Sequence, residues 1–309
     1  MKNWTTKDIP SQTGKLAVIT GATGGLGFET ALALAGADAE VILTGRNAQK
    51  GQDALRRIRA EHPKAKVRFD ALDLTSLAAV AEFSNRLNAE GRPIDILVNN
   101  AGVMALPARL VTADGFEMQL GTNYLGHFAL TARLLPLLRG ARVISLSSIA
   151  HRRGRIDFDD LQGARKYSAW KVYAQSKLAM LMFALELQRR SDAKGWGITS
   201  IAAHPGWART ELIANGPGAK GFLGVMSQFV APFFSHSAAA GALPILFAAT
   251  SPEAKDAGYY GPGGFQEMKG PVAPAQIMPQ ANDAAVAARL WEVSAQLTGA
   301  NWNQERVTP

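Results

Sequence analysis

Lys15-Leu-Ala-Val-Ile-Thr20-Gly-Ala-Thr-Gly-Gly25-Leu-Gly27 reads as a short apolar strand that empties into a glycine turn, and the helical stretch Phe28 to Ala35 follows at once. Strand, glycine turn and helix in that order form a mononucleotide-binding unit. Glycines at 21, 25 and 27 let the backbone turn tightly and approach a diphosphate, which then rests on the amides that open the helix. Thr23, Gly24 and Leu26 complete the turn and share its candidate contacts. The next strand, Glu40 to Thr44, ends in Gly45-Arg46-Asn47, where an acidic residue would otherwise hold a ribose 2′-hydroxyl. Arg46 instead offers a planar cation to a 2′-phosphate, so NADP(H) is the expected cofactor, with Asn47 beside it.

Outward from this unit the chain keeps alternating. A strand over Lys66 to Leu74 carries Asp73 near its carboxyl end, able either to reach an adenine or to cap a helix, with Leu74 next to it. Ile94 to Val98 is a continuous apolar run that empties into Asn99-Asn100-Ala101-Gly102, small enough to let a cofactor approach. Thr112 or Asp114 is expected to cap a long helix through Leu138, interrupted by glycines at 121 and 126 and by Pro136, that places Asn123, an unfavourable residue there, in mid-helix. A strand over Arg142 to Leu146 ends in Ser147-Ser148, and one over Ile198 to Ala202 ends in His204-Pro205-Gly206. Alternation of this kind requires a doubly wound parallel sheet with helices on both faces, in one domain with no internal linker. In such a sheet ligands bind beyond the carboxyl ends of the strands, and the glycine turn, Arg46, Asp73, Asn99 to Gly102, Ser148 and Pro205-Gly206 all fall there.

Between the last two strands lies Tyr173-Ala-Gln-Ser-Lys177, a phenol and an ammonium on one helix face. A free phenol titrates near pH 10, so its use as a base near pH 7 needs about 4 kcal/mol of phenolate stabilisation. One solvated cation supplies at most about 1 kcal/mol. The pair therefore makes chemical sense only in a cleft with a second positive charge nearby, such as an oxidised nicotinamide ring.

Composition sets the class. The 309 residues are 47% hydrophobic and 19% charged, which describes a globular chain with a large core. There is no cysteine, and the five histidines form no ligand motif, so neither disulfides nor a metal centre is expected. No signal-like stretch opens the chain and no apolar run reaches membrane-span length, hence an expected cytoplasmic location. The formal charge of +8 could suggest nucleic acid, but the arginine clusters lack interleaved aromatics and read as solvated helix faces.

Taken together, Thr20 to Gly27, Asn99 to Gly102, Asn123, Ser148, Tyr173 with Lys177, and Pro205-Gly206 resemble the ordered marks of the short-chain dehydrogenase/reductase family. Asp114-Gly-Phe-Glu, Asn123-Tyr-Leu-Gly-His-Phe and Arg289-Leu-Trp-Glu-Val-Ser are similar to its retinol dehydrogenase branch, which includes WW-domain oxidoreductases, although no WW domain is present. Thr23-Gly24, Thr122 and Ser145-Leu146 depart from that branch's usual residues. The resemblance implies hydride transfer between nicotinamide and an apolar alcohol, ketone or aldehyde. Tyr173 would exchange the proton and Ser148 would polarise the substrate oxygen. Lys177 would hold the nicotinamide ribose, and Asn123 would carry a water that links Lys177 to solvent. The implied cofactor contacts are Gly21, Thr23 to Gly27, Arg46, Asn47, Asp73, Leu74, Asn100 to Gly102, Tyr173, Lys177, Pro205 and Gly206. A non-catalytic NADP(H)-binding sensor on the same fold is the alternative, and a dimer or tetramer fits either reading. Residues 1–14 read as an N-terminal extension, 15–264 as the dehydrogenase domain and 265–309 as a C-terminal extension. Within the domain the aromatic segment from Trp207 to His236 is expected to be a substrate lid.

Overall fold

In the computed structural model, described here for residues 3–207 and 236–303, the six strands named from the sequence and a seventh that it places near Tyr259 join one sheet. They are β1 (Leu16–Ile19), β2 (Glu40–Gly45), β3 (Val67–Ala71), β4 (Ile96–Asn99), β5 (Arg142–Leu146), β6 (Thr199–Ala203) and β7 (Tyr259–Pro262). The order across the sheet is β3-β2-β1-β4-β5-β6-β7, all parallel, and an antiparallel edge strand β8 (Val272–Pro274) completes it. The sequence reading did not anticipate β8, whose three residues carry too short a pattern. Every residue of β1 and β4 is buried, as strands covered on both faces must be.

The helices are α1 (Gly25–Gly36), α2 (Ala48–Glu61), α3 (Leu77–Glu90), the single turn α4 (Met118–Leu120), α5 (Gly126–Leu134), α6 (Ala169–Lys194), α7 (Ala238–Thr250) and α8 (Ala284–Thr298). α1, α2 and α7 cover one face of the sheet, while α3, α5, α6 and α8 cover the other. Local chemistry sets their ends. Side chains of Asn47, Ser76, Ser237 and Asp283 cap the starts of α2, α3, α7 and α8. Gly91, Gly195 and Gly299 sit at left-handed φ just past α3, α6 and α8. α8 is held by aromatic packing: Trp291 stacks on Phe183 at 5.7 Å and meets Phe128 edge-on at 5.0 Å. Ser294 donates to the Tyr124 hydroxyl at 2.8 Å, which fixes the residue next to Asn123.

The helix expected through Leu138 is interrupted at the glycines and the proline that the sequence marked, but its cap and the form of its first interruption differ. Glu117, not Thr112 or Asp114, caps its first turn, accepting from the Leu120 amide at 2.7 Å. Asp114 is spent on another element, since it accepts from the Leu77 amide at 2.9 Å, and Thr112 accepts from the Phe116 amide. Gly121 to Leu125 then forms a π turn, α5 ends at Leu134, and a 3₁₀ turn with Pro136 follows. Asn123 lies in that π turn, where a wider backbone ring changes the direction of its side chain.

Candidate active site

The sheet reverses direction between β1 and β4: β2 and β3 extend it one way from β1, and β4 to β7 extend it the other. A crevice opens beyond the carboxyl ends at such a switch point. Its walls include Gly21, Thr23 to Gly27, Arg46, Leu72 to Thr75, Asn100 to Val103, Thr122 and Leu146, around a cleft of about 980 Å³ that includes its open mouth. The two turns that form its floor touch. A Cβ on Gly21, whose φ is +64°, would lie 2.9 Å from the Ala101 backbone. One on Gly27 would lie 2.5 Å from the Gly21 carbonyl, so both positions demand glycine. Gly24 offers no side-chain cap to α1, leaving the amides that open this helix to the cleft.

Polar contacts lock the floor. The Thr20 hydroxyl accepts from the amides of Asn100 at 2.8 Å and Ala101 at 2.9 Å. The Asn100 side-chain amide donates back to the Thr20 carbonyl at 2.7 Å, so it holds the turn together. With its lone pairs engaged, Thr20 turns its proton to His127 Nε2, 2.8 Å away. His127 Nδ1 then donates to the Asn123 carbonyl at 2.9 Å. Burial pulls His127 down to about 4, so the imidazole is neutral, as this bonding needs. A chain of bonds thus runs from the glycine turn through His127 to Asn123. The sequence reading quoted His127 within a motif but gave it no role; its place four residues after Asn123 on a helix was the available signal.

Asn123, Ser148, Tyr173 and Lys177 converge where β4 and β5 end. The Asn123 side chain accepts from the Val103 amide at 2.7 Å and donates to the Val103 carbonyl and to Ser176 Oγ, both at 2.9 Å. It therefore clamps the segment after Gly102 and makes no direct bond to Lys177. Lys177 Nζ donates to the Leu146 carbonyl at 2.9 Å, and Ser147 Oγ donates to the Lys177 carbonyl at 2.8 Å, which pins α6 to the end of β5. Burial alone brings Lys177 down to about 8. Tyr173 is buried too, and burial raises its phenol, while a hydrogen bond with Ser148 draws it partly back. The ammonium lies 6.0 Å from the Tyr173 ring centre. The protein alone keeps this phenol protonated.

Other expected contacts fall differently. Asp73 does not cap a helix; Ser76 does, and Asp73 accepts from the Thr75 amide at 2.9 Å and the Thr75 hydroxyl at 2.7 Å in a turn on the cleft wall. β3 stops at Ala71, so Leu72, Asp73 and Leu74 belong to the loop beyond it. Asn47 accepts from the Lys50 amide as the cap of α2 and is not among the cleft-lining residues. Arg46, next to it, is exposed on the cleft wall. Pro205 and Gly206 follow β6 but lie outside that lining. The expected lid falls on residues 208–235, outside the described residues. Its flanks meet, His236 donating from its amide to the Trp207 carbonyl at 3.1 Å.

The short chain dehydrogenase family model matches residues 15–217 of the sequence. The chain belongs to that family. This short-chain dehydrogenase is 41% identical over 299 residues to a polyprenol dehydrogenase of Mus musculus, covering 94% of this chain and 86% of the relative. It is 43% identical over 294 residues to retinol dehydrogenase 13 of Homo sapiens, covering 93% and 85%. Resemblance to the retinol dehydrogenase branch is thus borne out, and the chain is an oxidoreductase whose fold binds a nicotinamide cofactor. Among solved structures, an uncharacterised protein from Mycobacterium paratuberculosis superposes with a TM-score of 0.80 at 38% identity, covering 98% of this chain and all of that one. A short-chain dehydrogenase from Burkholderia cenocepacia J2315, crystallised with NADP, gives 0.60 at 26% identity over 79% of this chain and 93% of that one.

The cleft residues fit such a cofactor. Gly21 and Gly27 leave a floor that side chains would fill, and the first amides of α1 open onto it. Asn123, Ser148, Tyr173 and Lys177 are not themselves among the lining residues, but Asn123 and Lys177 lie directly behind Gly102 of the wall, where a Cβ would come within 3.0 Å and 3.6 Å of them.

Proposed function

We propose that this short-chain dehydrogenase interconverts an apolar alcohol and its carbonyl with NADP(H). The observation that carries the reading is the buried Lys177 ammonium bonded to the carbonyl of Leu146, a wall residue of the glycine-floored cleft, with Tyr173 one helical turn away and hydrogen-bonded to Ser148. Gly21, Thr23 to Gly27 and the α1 amides would hold the diphosphate. Arg46 would bind the 2′-phosphate, with Asp73 and Leu74 towards the adenine. When bound, the reduced cofactor would supply the hydride added to a carbonyl carbon, and the oxidised cofactor would accept the hydride removed from an alcohol carbon.

The chain's own groups handle the proton. In carbonyl reduction Tyr173 starts protonated, which burial favours, and donates its phenolic proton to the substrate oxygen while Ser148 holds that oxygen in place. Lys177, anchored on Leu146, stabilises the phenolate left behind. Asn123 keeps Val103 and α6 in register through its side chain. A water at its backbone, linking Lys177 to solvent, remains part of the proposal. For alcohol oxidation the phenol must lose its proton first, and the positive charge of the oxidised ring favours that.

The relatives' names, a polyprenol dehydrogenase and retinol dehydrogenases, support an apolar alcohol or carbonyl as substrate. NADPH consumption is to be followed with a panel of apolar ketones, aldehydes and quinones, against NADH as control. Turnover of at least one carbonyl with NADPH is expected. Tight NADPH binding with no turnover of any would point to a sensor.

A further inference from the structure

A second polar cluster lies behind Ser148, outside the cleft walls. Its centre is Glu267. One carboxylate oxygen forms an ion pair with Arg152 Nη2 at 2.8 Å and accepts from His204 Nε2 at 3.0 Å, and the other accepts from the Gln276 amide at 2.9 Å. His204 is fully buried, and its Nδ1 accepts from the Gly206 amide at 3.1 Å. An imidazole that accepts at Nδ1 and donates at Nε2 is neutral with a fixed tautomer, and burial favours that form. Through this ring the carboxylate acts on the turn that follows β6.

On its other side the carboxylate acts on the turn that follows β5. Arg152 belongs to the 3₁₀ turn Ile149–Arg153, which Ser148 caps by accepting from the Ala150 amide. The preceding residue, His151, is fully buried with Nδ1 2.7 Å from the Ser148 carbonyl. Tyr259 packs between the two histidines, with ring centres 5.4 Å from His151 and 5.1 Å from His204. Gln266 and Glu267 both adopt positive φ, +51° and +58°, a conformation uncommon for residues with side chains. The backbone there is pressed against Gly206, where any Cβ would overlap the Met268 and Glu267 carbonyls. Met268 also accepts from the Trp207 amide at 2.8 Å. Charge, strain and close packing therefore meet at one carboxylate.

We propose that Glu267 is a positioning residue of the active site, whose carboxylate joins the Ser148 turn to the Pro205–Gly206 turn. One group then sets both the hydroxyl that holds the substrate oxygen and a turn assigned to the cofactor. This rests on the oxidoreductase reading above for its effect on turnover, but not for its effect on the two turns. Glu267→Gln keeps size and removes the charge on which Arg152 depends. Its kcat should fall about tenfold or more, and NADPH affinity, read by fluorescence, should weaken as well because the Pro205–Gly206 turn loosens with the Ser148 turn. Glu267→Asp should recover part of the loss. Pairing Glu267→Gln with Arg152→Gln should reduce kcat no further than the worse single change, because both remove the same link. Amide hydrogen exchange should quicken at Gly206 and over 149–152 while the β1 and β4 amides keep their rates.

Wild-type kcat in Glu267→Gln, or additive losses in the pair, would overturn the proposal. So would exchange that rises across the whole chain, which marks a general stabilising role. If the wild type turns over no carbonyl, the oxidoreductase reading fails, and unchanged exchange at both turns would then sink the positioning role separately. Should Glu267→Gln fail to fold, Arg152→Gln alone carries the same exchange and kinetic readings.

Discussion

The two ends of the cleft are built from different materials. At the glycine turn the walls are backbone, small residues and one exposed cation, Arg46. At the other end, behind the wall residues Gly102 and Leu146, Asn123, Tyr173 and Lys177 are buried side chains, backed by the neutral His127. Backbone amides need no tuning to bind an anion and are worth the same at any ordinary pH. Buried side chains have shifted proton affinities, and those shifts act on stability as well as on chemistry. The comparison assigns recognition to the open end, and chemistry, with its cost in stability, to the closed one.

The sharpest way to break this division is Tyr173→Phe. The ring keeps its packing and loses only the phenolic proton, so turnover should drop about 10²- to 10⁴-fold, the usual contribution of positioned acid catalysis. NADPH affinity, measured by fluorescence titration, should stay near wild type. Retention of more than about a tenth of kcat would remove Tyr173 from the reaction. A parallel fall in affinity would show that the two ends are not separable.

Acid should find the closed end first. Burial takes His127 from 6.5 to about 4, and it also lowers His151 and His204. Between pH 6.5 and 4 the unfolded chain binds the His127 proton and the folded chain does not. Stability therefore rises with pH through that window, and acidification removes up to about 3 kcal/mol through this residue, at about 1.36 kcal/mol per unit. His127→Gln should be less stable than wild type at pH 7.5, because Thr20 or Asn123 loses a buried partner, about 1–3 kcal/mol. Its stability should fall less steeply towards pH 4. Urea unfolding at both pH values gives the slopes, and parallel curves would mean that His127 is not the group that resists protonation.

The same contrast explains what could be read in advance. The strands were legible because a doubly covered parallel strand is a short apolar run, and the glycine turn because only glycine fits two touching backbones. The positions of Ser148, Tyr173 and Lys177 followed from strand ends and helix spacing. Less local features were hidden. Thr112, Asp114 and Glu117 are all acceptors suited to capping, and the choice fell to Glu117 because Asp114 was drawn to the Leu77 amide of another helix. A π turn leaves no periodic signature, so the direction of the Asn123 side chain could not be inferred. Asn47 caps α2, a role that its place after β2 did not distinguish in sequence from a ligand contact. Glu267 has its His204 partner 63 residues away, and no motif spans that distance.

Lys177 tests the stability side of the division. Burial moves it from 10.5 to about 8, so holding it charged at pH 7 costs about 3 kcal/mol. Lys177→Met removes that cost and leaves the Leu146 carbonyl without its donor, a loss of about 1–3 kcal/mol. The variant should lack turnover yet unfold at or above the wild-type temperature at pH 7, by up to about 2 kcal/mol. From pH 8 to 10.5 the folded protein has already released this proton while the unfolded chain still binds it, so wild-type stability gains with pH and the variant's advantage disappears. A large drop in thermal stability at pH 7 would show that the ammonium stabilises the fold.

The smallest effect belongs to the open end, and its character should differ from all of these. Arg46 is exposed at the end of β2, so its contact with a 2′-phosphate is a charge-assisted hydrogen bond that water and ions can reach. Such a bond contributes about 1.5–3 kcal/mol, and solvent access favours the lower part of that range. The expected preference in kcat/KM for NADPH over NADH is therefore about tenfold to thirtyfold. Arg46→Ala should lose most of it through KM for NADPH, leave NADH turnover nearly unchanged, and leave the pH dependence of stability as in wild type. Added salt should shrink the wild-type preference and have little effect on the variant. Equal rates with both cofactors in the wild type, or a preference for NADH at low salt, would turn Arg46 away from the phosphate and leave recognition at this end to the backbone alone.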